Sequence, residues 1–165
     1  MKNLIIINGA AGVGKTTVSM HLREILPKNV MLDGDWCWFS NPYIVNDETK
    51  KMWERNLSFL LNSFIACSEF DNIIAPICTR RESMIQELVN SLDMTNTVAH
   101  QFVLHCSKPI RKKRVDGDQS MRKRGANIYD SEWETVFDNM PAQKIDTTNL
   151  TAKQVAEIIA SKIDS

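Results

Sequence analysis

The pattern Gly9-Ala10-Ala11-Gly12-Val13-Gly14-Lys15-Thr16-Thr17, placed directly after the apolar run Leu4 to Ile7, constrains this chain more than any other feature. A short, β-branched, wholly apolar run suits a strand buried on both faces, as in a parallel sheet. The residues that follow it, Gly9-x-x-x-x-Gly14-Lys15-Thr16, match the phosphate-binding loop that joins a strand to a helix. Glycines there allow successive backbone N–H groups to converge on phosphate oxygens. The helix behind the loop presents its positive end to the same anion. Lys15 supplies a point charge for the β- and γ-phosphates, and the Thr16 hydroxyl is a hard oxygen ligand suited to Mg²⁺.

Beyond the loop, Val18, Leu22 and Ile25 mark one face of a helix that Pro27 stops, and Val30-Met31-Leu32 reads as a second strand. Trp36 to Asn46 reads as a loop. Trp53, Leu57, Leu60, Leu61 and Phe64 repeat at helical spacing between Asp47 and about Phe64. Ile73-Ile74-Ala75 forms a third strand ending at Pro76, Ser83 to Leu92 a helix, His100 to Cys106 a fourth strand, and Gln143 to Asp146 a fifth. Ser131-x-x-Glu134 and Thr151-x-x-Gln154 are capping-box signatures, the second opening a helix with Val155, Ile158, Ile159 and Ile163 inward. Strands alternating with helices indicate an α/β fold with a parallel sheet covered on both faces. With 165 residues and no linker, one domain spanning 1–165 is expected.

Composition narrows the class further. The chain carries 20 Lys+Arg against 20 Asp+Glu, and this neutrality argues against a general nucleic-acid or membrane-surface binder. Cys37, Cys67, Cys78 and Cys106 form no C-x-x-C pair and no recognised zinc spacing with His21, His100 or His105, so four reduced thiols in a cytoplasmic protein are expected. The switch and base-reading motifs of GTPases are missing, and so is the apolar run ending in Asp-Glu that AAA-type machines carry. Asp116-Gly117-Asp118 begins like a calcium loop, but Met121 stands where glycine is needed.

Taken in order, four pieces resemble the small P-loop kinases of the nucleoside monophosphate kinase-like group, in the branch of gluconate, shikimate and adenylylsulfate kinases and chloramphenicol phosphotransferase. They are the loop at 9–17, Asp33-Gly34-Asp35 after the second strand, Leu104-His105-Cys106-Ser107 with Arg114 seven residues on, and Ile145 to Leu150. The resemblance implies a three-layer α/β/α sandwich, a five-stranded parallel sheet in the order 2-3-1-4-5, and a lid after strand 4 at about 108–127. It also implies ATP and Mg²⁺, with a small-molecule acceptor such as a nucleotide or a sugar acid. Within it, Thr16 and Asp33 serve the metal, Asp35 orients or deprotonates the acceptor hydroxyl, and Lys15, Asp35 and Arg114 are the catalytic set.

The segment 108–124 holds eight basic and two acidic residues, so its net charge of +6 leaves −6 on the rest of the chain. Guanidinium groups are well suited to a transferring phosphoryl group. Arg114 is the leading candidate, Arg122 and Arg124 are lid candidates, and Arg111 is expected near the nucleotide base. On the acceptor side, Trp36 could wall a pocket, while Arg55, Arg80 and Arg81 resemble arginines that hold an acceptor phosphate. Asp146 to Asn149 is expected at the adenine edge. Two competing readings are an inactive nucleotide-binding regulator and an RNA-associated NTPase. A monomer and a homodimer are both compatible with the sequence.

Overall fold

The computed structural model describes residues 1–117 and 136–163. The elements run β1 (Lys2–Asn8), α1 (Lys15–Ile25), β2 (Asn29–Met31), a 3₁₀ turn (Gly34–Trp38), α2 (Asp47–Ala66), β3 (Asn72–Pro76), α3 (Glu82–Asn90), β4 (Thr97–His105), α4 (Lys108–Gly117), β5 (Gln143–Asp146) and α5 (Ala152–Ile163). The capping box at Ser131, and Arg122 and Arg124 of the expected lid, lie outside the described residues.

All four strand pairings are parallel, and the sheet order is β2-β3-β1-β4-β5. This is the order that the family resemblance implied. β1 lies at the centre, pairing Ile5 with Ile74 on one side and with His100 on the other. Its side chains alternate between the two faces. Ile5 and Ile7 join Val18, Leu22, Phe102, Val155 and Ile159 in one core layer, built with α1 and α5. Leu4 and Ile6 join Trp53, Leu57, Leu61, Ile73 and Leu88 in the other, built with α2 and α3. Covering both faces explains why β1 and β3 read as unbroken apolar runs.

The helices follow their local signals with small departures. Asn46 caps α2 by accepting from Thr49 N at 2.9 Å, while Thr49 Oγ1 accepts from Asn46 N. Thr151 and Gln154 exchange the same reciprocal bonds at the start of α5. On α1, Ile25 is 40% exposed, contrary to its expected inward place. The chain leaves the helix at Leu26, whose extended backbone turns that side chain inward instead. Leu60, Phe64, Ile158 and Ile163 are likewise only partly covered, at the edges of their helical stripes. The stretch after β2 is more regular than a loop, because Asp33 caps the 3₁₀ turn by accepting from Asp35 N at 3.0 Å. Among the described residues no helix is long and apolar enough to cross a membrane.

Candidate active site

At the carboxyl ends of the strands lies a cleft of about 450 Å³, a size suited to a small-molecule ligand. Its floor is the loop between β1 and α1. Gly9 has φ +143°, and a Cβ there would stand 2.4 Å from the Leu104 carbonyl oxygen of β4. Gly12, at φ +84°, packs so closely on α4 that a Cβ would meet Val115 at 2.4 Å. Only glycine satisfies both the left-handed backbone and these approaches. Gly14 caps α1 without a side-chain bond, so the first-turn N–H groups face the loop.

Asn8, buried at the end of β1, positions the loop. Its Oδ1 accepts from Gly9 N at 2.8 Å and Thr79 N at 3.1 Å, and its Nδ2 donates to the Thr79 carbonyl at 3.0 Å. Lys15 Nζ donates to the Gly9 and Ala10 carbonyls at 2.8 and 3.1 Å, arching over the loop. Thr16 Oγ1 donates to Asp33 Oδ2 at 2.7 Å, which joins the phosphate loop to the end of β2. Asp33 is buried, while Asp35 is half-buried and lines the cleft.

The opposite wall comes from the far side of the sheet. Arg114 Nη1 donates to the Val13 carbonyl at 3.2 Å and to Thr147 Oγ1 at 3.0 Å, and Nη2 donates to the Thr147 carbonyl at 3.0 Å. The guanidinium thus clasps the phosphate loop to the turn after β5. That turn is itself tied down, since Asp146 Oδ1 accepts from both Thr148 N and Oγ1, and Thr148 Oγ1 accepts from Ser107 N. The Thr148 bonds hold the Asp146 carboxyl below its ordinary range. Burial pushes the Cys106 thiol up, partly offset by the Arg114 and Arg111 cations. Burial, with the charges of Asp33 and Asp35 added, pushes the Cys37 thiol up to about 11.

The expected residues therefore divide. Ala11 to Thr17, Asp33, Asp35 and Arg114 come together around the cleft, with Gly9 and Ala10 forming the buried base of the loop. Arg111 is buried behind the loop, in contact with Gly12, and is not among the residues lining the cleft where a nucleotide base was expected. Arg55 lies on an outer groove between α2 and α3. Arg81 donates to Glu54 at 2.8 Å and Glu87 at 3.1 Å, while Arg80 is exposed. Trp36 is 59% exposed. Of the turn expected at the adenine edge, Thr147, rather than Thr148 or Asn149, lines the cleft. Asn8 beneath the loop, and Pro76, Cys78 and Val155 in the cleft lining, are further residues that no local motif marks. Their common signal is position at the carboxyl edge of the sheet or on α5, beside α1.

The donor set fits Mg²⁺. Among the described residues no cluster of three or more His, Cys, Asp or Glu side chains gathers for a metal. Mg²⁺ needs no such cage, being held through one or two side chains, water and substrate phosphates. Thr16 and Asp33, in contact at 2.7 Å beside the phosphate loop, provide that arrangement.

Comparison with known proteins agrees with this geometry. The chain superposes on a tunicamycin resistance protein from Deinococcus radiodurans with a TM-score of 0.72 and 23% identity, covering 99% of this chain and 96% of that one. For the APS kinase of Mycobacterium tuberculosis, solved with AMPPNP and APS, the values are 0.71 and 13%, over 99% and 98%. For a gluconokinase from Sinorhizobium meliloti they are 0.69 and 14%, over 98% and 91%. These likenesses show a shared fold. No curated protein matches the sequence. The AAA domain profile matches residues 5–136. The match is to the P-loop domain that the resemblance implied, and the missing Asp-Glu run still sets the chain apart from AAA-type machines that carry it. The match spans most of the chain and includes the phosphate loop and Asp33-Gly34-Asp35, and by it the protein belongs to the AAA domain family of P-loop proteins.

Proposed function

We propose that this protein is an ATP-dependent phosphotransferase that moves the γ-phosphoryl group of ATP to a hydroxyl of a small-molecule acceptor. The observation that carries the reading is the meeting of two chemistries in one cleft. The phosphate loop with Lys15 and Thr16 faces a paired-carboxylate turn in which Asp33 is bonded to Thr16 and Asp35 lines the open space. The solved kinases that share the fold support the same reading.

In this proposal the loop amides and Lys15 hold the β- and γ-phosphates, Lys15 turning from the Gly9 and Ala10 carbonyls toward them. Thr16 and Asp33 would hold Mg²⁺, which when bound would neutralise charge on the phosphate oxygens. The acceptor oxygen forms a bond to the γ-phosphorus as the bond to the leaving ADP oxygen breaks, and the hydroxyl proton passes to Asp35. A general base of this kind contributes about 10²–10⁴-fold. Arg114, anchored on Val13 and Thr147, keeps the loop and the nucleotide edge in register and brings a permanent positive charge to the phosphates. Catalysis here is positioning and electrostatics.

The test is ADP release and product formation from MgATP against a panel of metabolites, nucleotides and antibiotics. The expected result is acceptor-dependent turnover that Lys15→Ala abolishes. ATP binding with no acceptor phosphorylated across the panel would instead identify a regulatory nucleotide binder.

A further inference from the structure

Asn8 is the last residue of β1, and its carboxamide is buried where three segments of the chain meet. A buried amide is costly unless its polar groups are matched, and it offers two donors and two lone pairs. In Asn8 all four are engaged, because Oδ1 accepts from Gly9 N and Thr79 N while Nδ2 donates to the Thr79 carbonyl at 3.0 Å and to Met140 Sδ at 3.3 Å. The side chain thus takes both backbone groups of Thr79, as a paired strand would. It does so where the regular ladder runs out. β3 stops at Pro76, and one further backbone bond joins Ile77 N to the Ile7 carbonyl at 2.9 Å. Past that bond Asn8 carries the hold on to Thr79.

Residues 76–79 touch the site on two sides. Pro76 and Cys78 line the same cleft as Lys15 and Asp35. The carboxylate turn packs on the same stretch, since a Cβ on Gly34 would stand 3.4 Å from the Pro76 carbonyl oxygen and 3.7 Å from Ile77 Cα. Thr79 passes the hold onward, its Oγ1 accepting from Arg81 N at 3.2 Å, and Arg81 is paired with Glu54 of α2. One buried carboxamide therefore joins the phosphate loop, at Gly9, to the wall against which the Asp35 turn rests. The two ends of this link differ. The phosphate loop has further anchors in the Arg114 bond to the Val13 carbonyl and in the packing of Gly12 on Val115. Thr79 reaches β1 through Asn8, so loss of the carboxamide should disturb the wall more than the loop.

We propose that Asn8 is a positioning residue for phosphoryl transfer, setting through Thr79 the spacing between the phosphate loop and the acceptor wall at residues 76–79. The assignment rests on the phosphotransferase reading above and goes beyond it, to how the two halves of the site are kept in register. A misplacement of about 1 Å between reacting groups can cost about 10²-fold in rate.

The experiment compares full-length wild type with Asn8→Ala and Asn8→Asp, and a thermal melt gives the folded fraction of each. Asn8→Asp keeps an acceptor for Gly9 N but sets a second acceptor against the Thr79 carbonyl, so it breaks the link at one end. Two readouts are combined. Cys78, exposed beside Thr79, is labelled with a thiol reagent, and Cys78→Ser assigns its signal. Steady-state kinetics use MgATP and an acceptor that wild type phosphorylates in the panel above. For both variants the expected result is Cys78 labelling several-fold faster, kcat lower by about 10–100-fold and acceptor KM raised, with ATP KM within about three-fold of wild type. A raised ATP KM with kcat and acceptor KM unmoved would confine Asn8 to the loop and overturn the proposal. So would a loss of kcat matching the loss of folded protein with both KM values unchanged, or Cys78 labelling at the wild-type rate. Each of these leaves the phosphotransferase reading standing. Absence of transfer by wild type to every acceptor would overturn both.

Discussion

Asp33 and Asp35 stand two residues apart in different surroundings, and the proposed mechanism gives them different work. Asp33 is buried, bonded through one oxygen to Thr16 and through the other to the Asp35 amide. Asp35 sits half-buried at the cleft wall. Asp35→Asn is therefore expected to lower kcat by about 10²–10⁴-fold with little change in ATP affinity, whereas Asp33→Asn should raise the Mg²⁺ requirement. Steady-state kinetics over a magnesium titration separates the two. Cys37 offers a check by pH. Its thiol is raised from 9.0 to about 11, so above pH 9 the unfolded chain releases a proton that the folded chain keeps. The stability that Cys37 contributes is complete below pH 9 and is lost as pH rises through about 11. Denaturation midpoints of wild type and Cys37→Ala should converge over that window. The phosphate-loop pattern was legible from residue type and spacing, whereas the roles of the carboxylate pair are what the family resemblance implies. The partners of Arg81 were not legible, because Glu54 lies 27 residues away and reaches it only through the packing of α2 beside α3. Within Asp146 to Asn149 the sequence did not say which residue faces the cleft, and Thr147 lines it while Thr148 is bonded back to Asp146.

At the scale of elements, caps and glycines set the geometry that the side chains use. Removing the α2 cap with Asn46→Ala should cost about 1 kcal/mol in urea denaturation, since it frees one end of a 20-residue helix. Leu57→Ala, in the middle of that helix and fully buried, should cost about 2–5 kcal/mol in the same measurement. Gly9→Ala belongs with function as much as stability, because its Cβ would press on the Leu104 carbonyl and shift the phosphate loop. Helix positions were readable because apolar spacing and capping residues act locally. The 3₁₀ turn was hidden, since Gly34 and Asp35 signal any tight turn and its form depends on bonds from Trp53 and Asn56 in α2. The place of Arg111 was hidden for a similar reason. A basic residue on a basic helix reads as exposed, yet close packing of α4 on Gly12 buries it.

For the whole molecule, zero net charge is a cancellation between a +6 segment at 108–124 and a −6 remainder. The described part of that segment, α4, sends Arg114 into the cleft, while Asp33 and Asp35 face it across the sheet edge. Such a cleft favours MgATP over a long polyanion, and screening by salt should raise the ATP KM by a few-fold while leaving kcat nearly constant. The central claim is that the two walls act together in one transfer. Its most direct measurement is ³¹P NMR of wild type and Asp35→Asn incubated with MgATP and the acceptor panel. The account predicts a new phosphoester signal formed in step with ADP by wild type, and almost none from Asp35→Asn although it still binds MgATP. An Asp35→Asn protein that phosphorylates the acceptor at the wild-type rate would contradict it.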